Sequence, residues 1–172
     1  LKADHQILVT NDDGIQSPGL DALVQAVSRL GPVLVVAPER EMSATSHRIT
    51  INDPLKARQI SPDRFAVEGT PADCVIVAAL RLLKTRPALV VSGVNRGSNL
   101  GDDVHYSGTV AAAFEGALQG LPAIAISAFS ETGKPQFQPA ANFAAHVAER
   151  VLQFGLPPGV ILNVNFPEHW NG

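Results

Sequence analysis

Cysteine is nearly missing from this chain: Cys74 is the single one in 172 residues, and methionine, tryptophan and tyrosine also occur once each. One cysteine excludes an internal disulfide and any thiolate cluster around a metal. It suits a reducing compartment, so a cytoplasmic location is expected. Positive charge is not in surplus either, with 13 Lys+Arg against 16 Asp+Glu and a net charge of -3. A general electrostatic grip on nucleic acid or anionic lipid is thereby excluded, and any phosphate must be held by a local arrangement. No apolar run is long enough to span a bilayer, and the opening Leu1 to Gln6 lacks the apolar core of a leader peptide. Familiar motifs are missing too. The first strand is not followed by Gly-x-Gly-x-x-Gly, which argues against a dinucleotide-dependent dehydrogenase. No Gly-x-Ser-x-Gly elbow marks a serine hydrolase. The histidines His5, His47, His105, His146 and His169 show no His-x-x-x-His spacing of the kind that ligates zinc.

What is present is a folded-protein composition, 45% hydrophobic and 17% charged, in a length that suits one domain over residues 1–172. Gln6 to Thr10 is apolar and mostly branched without alternation, the mark of a strand buried on both faces, and it ends in Asn11-Asp12-Asp13-Gly14. Ser17 as N-cap, Pro18 as first helical residue and apolar Leu20, Leu23, Val24, Val27 and Leu30 predict a helix closed by Gly31. Val33 to Ala37 is a second buried strand, so the opening is β-α-β with a parallel pair, a Rossmann-like start. A polar loop, Pro38 to His47, follows. Leu55 to Ile60 and Arg64 to Glu68 read as a β-hairpin projecting from the sheet. Thr70-Pro71-Ala72-Asp73 starts a helix that runs through Leu83 and holds Cys74 as a small core residue rather than a nucleophile. Ala88 to Ser92 is a strand, and it leads into a glycine-rich loop from Gly93 to Tyr106 whose length points to function. A helix over Val110 to Leu118, a strand over Ala123 to Ser127, a helix over Gln138 to Phe154 and a strand over Val160 to Phe166 complete the chain.

Ligands of open parallel sheets sit beyond the carboxyl ends of the strands, where Asp12 and Asp13 lie. Neighbouring strand residues point to opposite faces, so the two carboxylates converge on one ion only if the backbone turns, and Gly14 permits that. The same residues also make an ordinary turn, and both readings stand on the local sequence. In the loop after the second strand, Ser43, Thr45 and Ser46 offer hydroxyls, whose usual role is to satisfy loop backbone. Asn95 and Asn99 lie in the long loop. Ser107-Gly108-Thr109 opens a helix, either as a plain N-cap or as a phosphate cradle of free N–H groups and hydroxyls. Carboxylate, amide and hydroxyl oxygens are hard donors suited to Mg²⁺, Mn²⁺ or Ca²⁺.

Together these blocks resemble the SurE family of stationary-phase survival proteins, which act as divalent-metal-dependent nucleotidases. The resemblance is carried by Ile7 to Gly14, Val36-Ala37-Pro38-Glu39-Arg40 with Ser43, Gly69 to Cys74, Ser92 to Asn95, and Gly101-Asp102-Asp103 through Tyr106 to Ala113. It implies a Rossmann-like three-layer α/β/α fold with a mainly parallel sheet and the projecting hairpin. It further implies one divalent metal ion per subunit, Mg²⁺ or Mn²⁺, held by Asp12, Asp13, Ser43 and Asn95. Asn11, Asn99, Ser107, Gly108 and Thr109 would take the phosphate, and Asp12 or Asp13 would assist the attacking water. The implied substrates are nucleoside 5′- and 3′-monophosphates and short polyphosphate, and the implied assembly is a homodimer or tetramer. Without turnover, the same residues would make a non-catalytic nucleotide- and metal-binding module. The family usually has glycine after the metal-binding serine, where this chain has Ala44. Similar proteins continue past the last strand with a C-terminal segment that helps form the oligomer, and these 172 residues are expected to lack it.

Overall fold

A computed structural model describes residues 5–170. Seven strands form one sheet in the order β3-β4-β2-β1-β5-β6-β7. In chain order they are β1 (Ile7–Thr10), β2 (Val33–Pro38), β3 (Ala57–Ser61), β4 (Arg64–Val67), β5 (Leu89–Arg96), β6 (Ala123–Ala128) and β7 (Ile161–Phe166). All neighbours pair in parallel except β3 with β4. The chain passes from β1 to β2 on one side and later to β5 on the other. This reversal opens a crevice at the carboxyl end of β1.

Four helices cover the two faces: α1 (Pro18–Val27), α2 (Pro71–Val77), α3 (Gly108–Leu118) and α4 (Phe137–Phe154). Side chains alternate across a strand, so β1 sends Ile7 and Val9 into the core under α1 and α4, and Leu8 into the core under α2 and α3. Each of these three side chains is fully buried, and each contributes roughly 1.5–3 kcal/mol by leaving water. α4 meets the sheet and α1 through Ala140, Ala141, Ala144, Ala145 and Ala148, small residues that allow close helix approach. The result is the expected three-layer α/β fold.

Several boundaries differ from the sequence reading. α1 stops at Val27 and a 3₁₀ turn, Ser28–Leu30, carries the apolar spacing on to Gly31. α2 widens after Val77 into a π-helix, Ala78–Leu82, so the apolar pattern to Leu83 is not one regular helix. The hairpin extends the sheet instead of standing clear of it, because β4 pairs in parallel with β2 and leaves only β3 as an exposed edge. β5 continues through Gly93, Val94 and Asn95 to Arg96, with a register shift against β6 between Ser92 and Asn95. The glycine-rich segment is therefore half strand, and its later part folds into a 3₁₀ helix, Gly101–His105. Among the described residues no helix is long and apolar enough to cross a membrane.

Candidate metal and phosphate site

β1 ends at Thr10, and the turn that follows is braced from inside. Asn11 is fully buried and its Nδ2 donates to the Gly14 carbonyl at 2.9 Å. Gly14 takes a φ of 96°, a left-handed conformation that side chains disfavour. The Gly14 carbonyl also accepts from Ser17 N at 3.0 Å, and Ile15 N donates to Pro38 O at 2.8 Å, so the turn is tied to α1 and β2. Asn11 thus shapes the turn from beneath through Nδ2, while its Oδ1 has no partner among the described residues.

The turn presents Asp12 and Asp13 in different settings. Asp12 is 3% exposed and accepts a hydrogen bond from the Thr109 hydroxyl. Burial pushes its carboxyl up to about 6; the Thr109 bonds oppose that shift and the charge of Asp13 adds to it. Asp13 is half-buried and accepts from the Arg96 backbone N–H at 3.2 Å. Burial also raises its carboxyl, against the Arg96 backbone bond and charge, with Glu41 reinforcing the rise. Among the described residues neither carboxylate forms an ion pair with lysine or arginine.

Two neighbouring segments close on this pair. Met42 N donates to the Asp12 backbone carbonyl at 2.7 Å, which brings the loop after β2 against the turn. In that loop Ser43 Oγ donates to Glu41 Oε1 at 2.8 Å, and Thr45 donates to Met42 O at 2.9 Å. From β5, half-buried Asn95 donates from Nδ2 to Gly97 O at 2.8 Å. Ser43 and Asn95 therefore each direct one hydrogen elsewhere and keep oxygen lone pairs to offer. Two carboxylates short of positive charge, with a hydroxyl and an amide oxygen, fit a hard divalent cation. Among the described residues no group of three or more His, Cys, Asp or Glu side chains is placed to hold a metal ion. A cavity of about 350 Å³ opens beside Asp13 and Ser43, lined also by Ser17, Arg40, Glu41 and Arg96.

At the start of α3 the N-cap reading is realised. Ser107 is the N-cap and its Oγ accepts from Val110 N at 3.1 Å. Gly108 is required by close approach: a Cβ there would stand 2.8 Å from Asp12 Cβ and 3.0 Å from both Asp12 Oδ2 and Pro71 Cγ. Thr109 is fully buried and turned to Asp12. The positive helix end thus faces the protein's own carboxylate, and the Thr109 hydroxyl donates to Asp12. Asn99, 7% exposed, lies beyond it with Nδ2 donating to buried Ser127 Oγ at 2.8 Å. Asn163 and Asn165 of β7 grip the backbone of Asn99, which sequence reading missed; two asparagines at alternate positions of an apolar strand were the available signal.

Other anchors keep the surrounding loops in place. Asp73 of α2, 1% exposed, accepts from Thr50 N, Thr50 Oγ1 and Thr70 N at 2.7–2.9 Å. His47 meets Glu115 of α3 at 3.0 Å. Cys74 is fully buried, and burial pushes its thiol well above the ordinary value, which leaves it a core residue.

The family model described as survival protein SurE matches residues 7–172. Proteins named 5′-nucleotidase SurE from Citrifermentans bemidjiense and Myxococcus xanthus are each 54% identical over 163 residues, 95% and 94% of this chain. The chain spans 66% and 62% of their lengths. The crystal structure of the SurE protein from Aquifex aeolicus superposes with a TM-score of 0.90 at 44% identity, over 95% of this chain and 66% of that one.

Proposed function

The chain belongs to the SurE family, and from that premise we propose that its site is a divalent-metal-dependent phosphomonoesterase centre acting on nucleoside 5′-monophosphates. The observation that carries the reading is a buried carboxylate, Asp12, gripped by Thr109 and adjacent to an unpaired Asp13 at the switch point of the sheet. Relatives named 5′-nucleotidase support the substrate class. Nucleoside 3′-monophosphates and short polyphosphate, which present the same phosphoryl group, belong to the proposal, as does a homodimeric or tetrameric assembly.

Asp12, Asp13, Ser43 and Asn95 would hold one Mg²⁺ or Mn²⁺, which when bound draws charge from the phosphoryl oxygens. Asp12 orients the attacking water and receives its proton; Asp13 is the alternative. The water oxygen bonds to phosphorus as the ester bond to the nucleoside oxygen breaks; the leaving oxygen takes a proton from solvent, and Asp12 returns its proton to solvent. Asn99 and the Gly108 backbone N–H at the start of α3 stabilise the equatorial oxygens. Loss of one such donor should cost on the order of 3 kcal/mol of transition-state stabilisation.

The test is inorganic phosphate release from a panel of 5′- and 3′-monophosphates and short polyphosphate, with Mg²⁺, Mn²⁺ or EDTA. Release that needs metal and stops with EDTA is expected. A folded protein that binds nucleotide with metal yet releases no phosphate would instead be a binding module.

A further inference from the structure

Asn99 has an unusual mooring for a loop residue. Its backbone N–H donates to Asn165 Oδ1 at 2.7 Å, and its carbonyl accepts from Asn165 Nδ2 at 3.2 Å. One side-chain amide thus closes on both polar groups of a single residue, as a neighbouring strand would. Asn163 Nδ2 adds a bond to the same carbonyl at 2.9 Å. The side chain of Asn99 is fixed separately, through Nδ2 to Ser127 Oγ at 2.8 Å. An amide nitrogen carries two hydrogens, so one remains to donate to an anion.

The three fixing residues come from the end of the sheet farthest from the hairpin. Asn163 and Asn165 are two apart on β7 and so share a face. Asn165 is in register with Ser127 of β6, and Ser127 is in register with Asn95 of β5. A polar row therefore crosses the carboxyl end of three strands, from a proposed metal ligand to the residue that grips Asn99. Asparagine is disfavoured within strands, and β7 otherwise offers Ile161, Leu162 and Val164 to the two cores.

We propose that Asn165, assisted by Asn163, is a positioning residue that fixes Asn99 for contact with the phosphoryl group, so that the last strand sets the affinity of the site for phosphate. The inference rests on the reading of Asn99 as a phosphate contact. Its test is a double-mutant cycle of Asn165→Ala and Asn99→Ala, read by calorimetric binding of inorganic phosphate with Mg²⁺ and by kcat and KM for a nucleoside 5′-monophosphate. Asn165→Ala should weaken phosphate binding and lower kcat/KM by roughly 10- to 100-fold. In the Asn99→Ala background the same change should do little more, because both act through one contact. Unchanged phosphate affinity in a folded Asn165→Ala, or fully additive losses, would overturn the proposal. If Asn165→Ala does not fold, Asn163→Ala replaces it, with a smaller loss of the same kind expected and unchanged affinity decisive against. Wild-type protein that binds phosphate without turnover would sink the hydrolytic reading while the binding cycle still decides the mooring. Wild-type protein that binds no phosphate would sink both.

Discussion

Asp12 carries a cost that the fold alone does not explain, because its carboxylate is buried beside a second acid. Folded, its carboxyl keeps a proton up to about pH 6; unfolded, only to about the model-compound value of 3.8. Folding therefore takes up a proton between those values. The destabilisation is complete above pH 6, where it amounts to about 3 kcal/mol, and it fades as pH falls toward 3.8. In metal-free protein, Asp12→Asn should be more stable than wild type by up to about 3 kcal/mol at pH 8 in urea denaturation, with the advantage shrinking below pH 6. The same variant should lose phosphate release with either metal; wild-type turnover would remove Asp12 from the mechanism. Thr109→Val removes the hydroxyl that grips Asp12 and should cut kcat with little change in KM, whereas Thr109→Ser should retain most activity. That Asp12 and Asp13 follow the carboxyl end of the first strand was legible in the sequence. That Asn11 and Thr109 serve them from inside was not, since both directions are open to a short polar side chain until α1 and α3 are packed.

Among the elements, the loop after β2 and the start of α3 carry the most constraint. Ala44 has a φ of 55° and Ser46 one of 54°, a region that costs a residue with a Cβ about 1–2 kcal/mol. Ala44 stands where the family resemblance implies glycine, and its left-handed conformation strains a residue with a Cβ. Ala44→Gly should therefore stabilise the protein by roughly 0.5–1 kcal/mol, after allowing for the freer unfolded chain, as read from the denaturation midpoint at constant m-value. No gain would mean that the loop relaxes in solution. The start of α3 is constrained by space: Gly108→Ala places a methyl group against Asp12 and Pro71 and should cost about 1–3 kcal/mol together with activity. Element types were readable from apolar spacing, caps and prolines, as in Ser17-Pro18 and Thr70-Pro71. The ends of β5 and α2 were not, because Gly93 to Asn95 reads as loop by composition and becomes strand only through its pairing with β6.

At the scale of the molecule, sequence reading supplied the parallel α/β class but not the strand order, which depends on contacts between distant segments. No local feature announces that β4 joins β2, or that β7 closes the far side and reaches back to Asn99. That order has an energetic consequence. The proposed ligands come from the turn after β1, the loop after β2 and the end of β5, pieces of chain that meet only when the sheet is assembled. An unfolded chain cannot present them together, so a divalent cation should bind the native state almost exclusively. Its binding then appears as folding stability, about 2.7 kcal/mol at a concentration 100 times Kd. In a chain of 172 residues this corresponds to a rise of roughly 5–10 °C in Tm. Thermal unfolding at pH 8 should show that rise with Mg²⁺ or Mn²⁺, its reversal by EDTA, and its loss in Asp12→Asn, which begins from the higher metal-free stability. Equal shifts in wild type and Asp12→Asn would place the cation elsewhere, and no shift in either would remove the metal from the site altogether.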